Sequence, residues 1–381
     1  MSDNNPASVV LVGCGAPLKS MGWYHATQLL NEDSGINARL DYVVEPWFLS
    51  DPGKCTPGYD EFIQFKKKLE ATNGIQFFQS VEEVPPLSDN TTKRIAIISA
   101  RTSSNPSLFA SCLSIGCTAI FLEKPGAPAV SQLEQMALDA KAKNVRVFMG
   151  FNKNVSKYVT KTRELASSHL NKENLNITFV HNNNYENTPE ALGECFERNA
   201  EGMLKNMAIH ELALLVTFYN VTVDTIRSVV ADEEHSSCQT LIGPSSGKEF
   251  TDFDKLKFRI VTKDGVRVSI VADRCGGDDS IGIVTSTTEG KGKQEEEELS
   301  RFSMPDPEDA TSISDAERRL PGAMPYFYVQ DPDYFALKQR VAKAVVEGGE
   351  AEGVATIDVA VETLKVAEYL TPILKEQLLT E

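Results

Sequence analysis

The 381-residue sequence lacks long apolar runs, closely paired cysteines and an excess of basic charge. A transmembrane helix needs about 20 consecutive apolar residues, and no stretch of the sequence approaches that length. The 54 acidic residues outnumber the 38 basic ones, and the formal net charge of −16 disfavours nucleic acid and anionic membranes as partners. The seven cysteines are scattered, without a Cys-x-x-Cys pair, so we predict neither a metal site nor a disulfide framework.

The amino terminus, MSDNNPASVV, does not contain the apolar core of a secretory signal peptide. We therefore expect a cytoplasmic protein whose thiols are reduced. The apolar fraction of 41% suits an ordinary globular core. A chain of this length is expected to form two domains, which we place at residues 1–150 and 151–381.

The first 150 residues alternate short apolar segments with segments whose apolar residues have helical spacing. Strands that are apolar on both faces and separated by helices predict a doubly wound parallel sheet, and hence an α/β domain of the Rossmann type. The predicted strands are 8–12, 40–44, 74–78, 94–100, 118–122 and 145–149.

A glycine-rich turn follows the first predicted strand. Gly13 and Gly15 come directly after it, and Gly22 precedes a segment with helical spacing. Strand, glycine turn and helix in this order predict dinucleotide binding, because glycine lets the backbone approach a pyrophosphate at a helix N-terminus. The usual spacing places the third glycine at Leu18, so Gly22 can take that role only if the loop carries about four extra residues.

Glu45 ends the second predicted strand. A carboxylate at this position can accept both hydrogen bonds of an adenosine ribose and would repel a 2′-phosphate, which favours NAD over NADP. NADP stays open because the longer glycine loop could reshape the ribose pocket. An ordinary solvated charge at a strand end is the alternative reading of Glu45.

The stretch TAIFLEKPGAP at 118–128 ends a buried strand with Glu123, Lys124 and Pro125. The carboxyl edge of an open parallel sheet is where ligands bind. The charged pair is therefore either a surface ion pair or part of a ligand site.

The Gly-x-Gly turn, the EKP at 123–125, the GFNK at 150–153 and the KNMAIH at 205–210 occur in an order that resembles the Gfo/Idh/MocA oxidoreductases. The resemblance covers nearly the whole chain. It implies an NAD(P)-dependent dehydrogenase or reductase acting on a sugar, a polyol or a related hydroxy or carbonyl compound. It also implies a C-terminal α/β domain with a large, mostly antiparallel open sheet, which commonly joins copies into a homodimer or homotetramer.

The resemblance assigns roles to individual residues. Lys124 lies between the nicotinamide and the reacting hydroxyl, and His210 is the catalytic base. A single apolar helix is expected from residue 202, with positions 206 and 210 on one face. Relatives often carry an acid four residues before this histidine, where the chain has Asn206, so we expect His210 to be easier to deprotonate. The expected cofactor-binding residues are Gly13, Gly15, Gly22, Glu45, Arg101, Glu123 and Pro125, and the expected substrate-binding residues are Lys124, Asn152, Tyr185, Asn206 and His210.

Arg101 stands where relatives often have a Thr-Pro turn. It could bind a carboxylate near the nicotinamide, which would indicate an acidic substrate, or it could be a structural arginine on a surface loop. The loop from Tyr185 to Arg198 is expected to contribute to substrate specificity.

The second half contains segments typical of an open sheet at 225–231, 256–262, 266–272 and 281–286. Residues 288–322 include four consecutive glutamates, and we predict a mobile acidic insertion there. The last helix, predicted at 356–379, is expected to pack back on the first domain.

Two other functions fit the same fold. One is a catalytically silent NAD(P)-binding regulator, which the amide at Asn206 keeps open. The other is an NAD-dependent glycosidase, in which the cofactor is reduced and regenerated within one catalytic cycle.

Overall fold

The computed structural model of the chain describes residues 5–87, 92–169, 174–290 and 293–379. The chain forms two compact units. Unit 1 comprises Met1–Asn152 and Asp309–Val361, and unit 2 comprises Lys153–Glu308 and Glu362–Glu381. The predicted assignment of 151–381 to the second domain is therefore wrong for 309–361, which belongs to unit 1.

Unit 1 is built on a six-stranded parallel sheet in the order β3-β2-β1-β4-β5-β6. Its strands β1, β4 and β5 are buried along their whole length, because helices cover both faces. The predicted doubly wound sheet is confirmed. The strands are β1 Ala7–Val12, β2 Ala38–Val44, β3 Gln76–Phe78, β4 Arg94–Ile98, β5 Ala119–Leu122 and β6 Arg146–Met149, and the helices among them are α1 Met21–Leu29, α2 Tyr59–Asn73, α3 Asn105–Ser114 and α4 Val130–Ala142.

The segment 309–361 completes unit 1 after the long excursion through unit 2. Its helices are α9 Ala310–Arg319, α10 Pro325–Val329 and α11 Asp331–Glu347, and the last helix, α12 Ile357–Leu379, starts in the same segment. The segment is tied to β6, since the amide of Met149 donates to the carbonyl of Ala355 at 2.8 Å.

Unit 2 is built on a mixed sheet in the order β13-β12-β7-β11-β10-β8, with β9 paired to β10. Only the β7–β11 pairing is parallel among the described pairings, so the predicted mostly antiparallel sheet is confirmed. The strands are β7 Leu175–Asn182, β8 Ile226–Ala231, β9 Ser237–Ile242, β10 Glu249–Thr262, β11 Arg267–Asp273, β12 Ser280–Gly290 and β13 Lys293–Met304.

Four helices precede or cover this sheet, and the core lies between them and the strands. They are α5 Lys157–Ser168, α6 Pro189–Arg198, α7 Met203–Asn206 and α8 Ile209–Tyr219. The same core takes up the later part of α12, including Val366, Leu370 and Leu374. The prediction that the last helix packs on the first domain is therefore wrong for its larger part. None of the described helices combines the length and the apolar character needed to cross a membrane.

The acidic stretch differs from its prediction. Residues 293–304 form β13, which pairs antiparallel with β12, and 310–319 form a helix. Glu296 forms an ion pair with Arg259 of β10. The mobile insertion is wrong for these residues because cross-strand pairing and an opposite charge organise the glutamates; residues 291–292 of the predicted insertion lie outside the described residues.

Two further local predictions are corrected. The region 185–198, predicted as a loop, contains α6, whose first turn is capped by the Thr188 hydroxyl on the amide of Ala191. The single helix predicted from residue 202 is interrupted between Asn206 and Ile209.

Candidate cofactor and active site

The glycines of the first turn are required by close backbone contacts within unit 1. Gly13 and Gly15 have φ of +87° and +69°, a region that side chains with a Cβ rarely adopt. A Cβ on Gly13 would lie 2.8 Å from the carbonyl oxygen of Ser99, and one on Gly22 would lie 1.8 Å from that of Gly13. Gly22 therefore lets α1 start against the turn after β1, across a loop four residues longer than the usual spacing.

Glu45 is buried and organises the loop after β2. Its Oε2 accepts the amide of Gly15 at 2.7 Å, and its Oε1 accepts the amides of Trp47 and Phe48 at 3.1 and 3.4 Å. The carboxylate therefore holds the glycine turn and the β2 loop together at the carboxyl edge of the sheet.

A cleft of about 640 Å³ opens at this edge, and the predicted residues Gly13, Gly15, Glu45 and Arg101 all line it. Its size suits part of a dinucleotide, because ligand pockets commonly measure about 300–1,000 Å³. The glycine backbone and the start of α1 suit a pyrophosphate, and the carboxylate suits a ribose. The residues present therefore fit an NAD cofactor.

The EKP turn follows β5, and its Lys124–Pro125 peptide is cis. Glu123, predicted to bind the cofactor, is 8% exposed, and its Oε1 lies 2.9 Å from Nε2 of His25. A Cβ on Gly150 would lie 2.6 Å from this carboxylate. Glu123 is thus packed into the interior of unit 1, one residue before Lys124, in a different environment from the one predicted.

A buried polar network surrounds Glu123. Lys338 of α11 donates to the side-chain oxygen of Gln28 at 2.5 Å, and Gln28 and Tyr24 of α1 both donate to Asp331 at 2.9 Å. Burial lowers the pKa of Lys338 to about 7, against the opposing charges of Glu123 and Asp331. The network joins α1, β5 and α11.

His25 belongs to the same network and is fully buried. Burial and the charge of Lys338 lower the pKa of His25 to about 4, against the effect of Glu123. His25 is therefore neutral at pH 7, and its Nε2 donates the hydrogen bond to Glu123.

Unit 2 carries the second part of the predicted site. His210 lies in the first turn of α8 and is 8% exposed. The next residue, Glu211, is fully buried, and its two oxygens bind Lys153 Nζ at 2.6 Å and His181 Nδ1 at 2.9 Å. Lys153 also donates to the hydroxyl of Ser280 at 2.9 Å.

The pKa of Glu211 lies well below its ordinary value. Burial alone would raise it, but the charges of His181, Lys153 and His210 outweigh that effect. A buried, ionised carboxylate therefore stands directly after His210 in the chain. The carboxylate missing at Asn206 has a counterpart at the position directly after the histidine.

The remaining predicted substrate residues lie on different elements and have different partners. Asn206 lies on α7 and donates to Glu201 at 3.0 Å, so the helical spacing that would have placed it on one face with His210 does not exist. Asn152 is buried in unit 1, where its amide lies 3.4 Å from Gln330 Oε1. Tyr185 accepts a hydrogen bond from Arg198 at 3.0 Å within unit 2.

Sequence reasoning missed the network around Glu211. Glu211 is adjacent to the predicted base, which was a usable signal, but His181 and Lys153 are 30 and 58 residues away from it. Lys124 belongs to unit 1 and His210 to unit 2.

A parallel sheet with a Gly-x-Gly turn after β1 and a carboxylate after β2 defines a dinucleotide-binding protein of the Rossmann class. Residues 8–151 match the family model GFO_IDH_MocA, described as an oxidoreductase family with an NAD-binding Rossmann fold. The match covers this segment, which is less than half of the chain and lies within unit 1, and it describes an NAD-binding Rossmann domain. The resemblance inferred from the sequence motifs is confirmed.

Solved structures with the same fold span nearly the whole chain. One is scyllo-inositol dehydrogenase from Lactobacillus casei with bound NAD(H) and scyllo-inositol (TM-score 0.64, 14% identity, 98% of this chain and 96% of that chain). A second is an NAD-binding oxidoreductase from Klebsiella pneumoniae (TM-score 0.63, 14% identity, 99% of this chain and 97% of that chain). A third is an oxidoreductase from Agrobacterium radiobacter in complex with NAD+, L-tartaric acid and magnesium (TM-score 0.60, 12% identity, 98% of this chain and 96% of that chain). At these identities the likeness shows the fold alone. The comparison with curated proteins finds no match.

Proposed function

We propose that the protein is an NAD-dependent dehydrogenase or reductase that transfers hydride between the nicotinamide and a sugar, a polyol or a related hydroxy or carbonyl compound. The observation that carries the proposal is the EKP turn at the carboxyl end of β5, in a unit whose glycine turn and Glu45 fit NAD. The inositol dehydrogenase with the same fold supports the substrate class.

The cofactor would be held by Gly13, Gly15 and Glu45, and it supplies the hydride acceptor or donor. In the oxidation direction, His210 accepts the proton of the substrate hydroxyl, because an imidazole titrates near neutral pH. The ammonium group of Lys124 stabilises the negative charge that develops on the same oxygen.

We assign Glu211 a positioning role behind His210. Its buried negative charge stabilises the imidazolium that forms when His210 takes the proton. Lys153 and His181 keep the carboxylate ionised in spite of its burial, as its lowered pKa indicates. In this chain Glu211 therefore supplies the negative charge that relatives carry four residues before the histidine.

The test is a panel of polyols, sugars, sugar acids and carbonyl compounds with NAD(H) and NADP(H), followed by nicotinamide absorbance. With an active substrate, Lys124→Ala should lower kcat by about 10²–10⁴-fold and leave NAD+ binding unchanged, whereas the exposed Lys141→Ala should match the wild type. Intact turnover in Lys124→Ala would contradict the mechanism. NAD+ binding without turnover on the panel would indicate a regulator, and cleavage of a nitrophenyl glycoside without net NADH would indicate a glycosidase.

We also propose a homo-oligomer formed through the sheet of unit 2. Val230 of β8 and Ile242 of β9 are 61% and 65% exposed and offer apolar surface at the sheet for such contacts. Light scattering should give a mass of at least twice 41.9 kDa. Val230→Glu should shift the protein towards the monomer, and a monomeric wild type would contradict the proposal.

A further inference from the structure

We infer that Trp47 and Arg101 form a slot for the adenine base of the cofactor. The inference rests on NAD binding by unit 1 and adds a specific means of recognising the adenosine half. Both side chains line the cleft that contains Gly13, Gly15 and Glu45. The guanidinium of Arg101 lies over the indole ring of Trp47, 5.7 Å from the ring centroid.

Trp47 is an exposed aromatic side chain on a fixed backbone. Its side of the cleft is accessible, since the residue is 44% exposed. Its amide donates to Glu45 at 3.1 Å, and its carbonyl accepts the amide and hydroxyl of Ser50 at 3.0 and 2.6 Å. Gly53 packs so closely that an added Cβ would lie 2.0 Å from this carbonyl. Because the backbone is held in this way, it need not be ordered further when a flat ligand stacks on the indole.

Arg101 provides the opposite wall. Among the described residues, no carboxylate forms an ion pair with it, and its positive charge is directed at an aromatic face instead. A planar base between the two groups needs about 3.5–4 Å on each side. The exposed arginine can make that room by moving outwards by about 2 Å, and its guanidinium then stacks on the base.

The position of Glu45 selects which half of the dinucleotide enters the slot. The same carboxylate that fits the ribose also accepts the backbone amide of Trp47, so one hydrogen bond joins the ribose site to the residue that carries the indole. The base attached to that ribose is adenine, because the acidic residue after β2 serves the adenosine side of a Rossmann cleft. Pro46, Phe48 and Leu108 add apolar wall to the same cleft.

The chain contains only two tryptophans, which makes the slot directly observable. Trp23 is 5% exposed and lies in the interior of unit 1. ADP-ribose, which has no nicotinamide, should therefore quench the fluorescence of wild-type protein through Trp47. Trp47→Phe should abolish the quenching while Trp23 still reports an intact fold.

Affinity completes the test. By calorimetry, Trp47→Ala should weaken the binding of both NAD+ and ADP-ribose on the order of 10- to 100-fold, and Trp47→Phe should restore most of it. Tyr369→Ala, which removes an exposed aromatic of unit 2, should leave both Kd values unchanged. Arg101→Gln should weaken both ligands to a similar, smaller extent.

Three results would overturn the slot. They are equal Kd values for Trp47→Ala and wild type, ADP-ribose binding without quenching, and an Arg101→Gln effect confined to NADP+, which would make the arginine a phosphate-binding group. A wild-type protein that binds neither NAD+ nor ADP-ribose would refute the NAD site itself. The two failures are thus distinguishable.

Discussion

The buried Lys338 should make the stability of the protein depend on pH in the alkaline range. The residue is 3% exposed, and its Nζ donates a hydrogen bond to Gln28 and lies 5.0 Å from the ring centroid of Tyr334. Burial lowers its pKa from 10.5 to about 7. Between these two values the unfolded chain holds a proton that the folded chain has lost, so unfolding takes up a proton and stability rises with pH.

The slope of this dependence is about 1.36 kcal/mol per pH unit while the lysine is protonated only in the unfolded state. Between pH 7 and pH 9 the lysine should therefore add about 2 kcal/mol to the free energy of unfolding. Lys338→Met keeps the length of the side chain and removes the titration. The free energy of unfolding of the variant, minus that of the wild type, should therefore fall by about 2 kcal/mol between pH 7 and pH 9.

The assay is denaturant unfolding at pH 7, 8 and 9, followed by circular dichroism for wild type, Lys338→Met and Lys343→Met. Lys343 lies on the same helix but is exposed, so its variant should show a pH-independent difference from the wild type. A constant difference for Lys338→Met as well would show that Lys338 stays charged in the folded protein, and the reasoning from burial would be refuted.

Three other perturbations test separate parts of the structure. Gly22→Ala places a Cβ 1.8 Å from the carbonyl of Gly13, and calorimetry should show NAD+ binding weakened by at least about 10-fold; unchanged binding would exclude the close approach. His25 has a pKa of about 4 in the folded chain, so it should lower the free energy of unfolding by up to about 3 kcal/mol as pH falls from 6.5 to 4. In His25→Gln, acid unfolding curves should no longer show this pH dependence. Glu211→Gln should move the pH profile of kcat/KM to lower pH, because the imidazolium of His210 loses a neighbouring negative charge; an unshifted profile would contradict its positioning role.

The sequence predicts the elements of unit 1 well because local signals determine them. Fully apolar strands, the glycine turn and the acid after β2 each reflect a constraint within a few residues, and the structure shows them in the predicted order. The EKP turn could be predicted for the same reason.

The mistaken predictions concern long-range packing or weak local signals. Whether 309–361 packs on the first or the second sheet depends on contacts hundreds of residues apart, such as Tyr24 with Asp331. The helix break at 207–208 contains neither glycine nor proline, so it carries no sequence signal. The glutamates of 295–298 look disordered by composition, and only pairing with β12 makes them a strand.

The candidate site was only partly predictable. Glycines and Glu45 follow from the turn and the strand end. The environment of Glu211 depends on Lys153 and His181, which come from other elements of unit 2. A buried carboxylate is identified by its partners, and these are not adjacent in sequence.

The return of the chain to unit 1 has a consequence for synthesis on the ribosome. Tyr24 emerges early, but its partner Asp331 follows 307 residues later, which takes about 15–60 s at 5–20 residues per second. During that time the hydrogen bond between Tyr24 of α1 and Asp331 cannot form. The core of unit 2 is likewise incomplete until residues 362–379 of α12 are made. A chain truncated before α12 therefore lacks residues of both units, so neither unit can complete its packing.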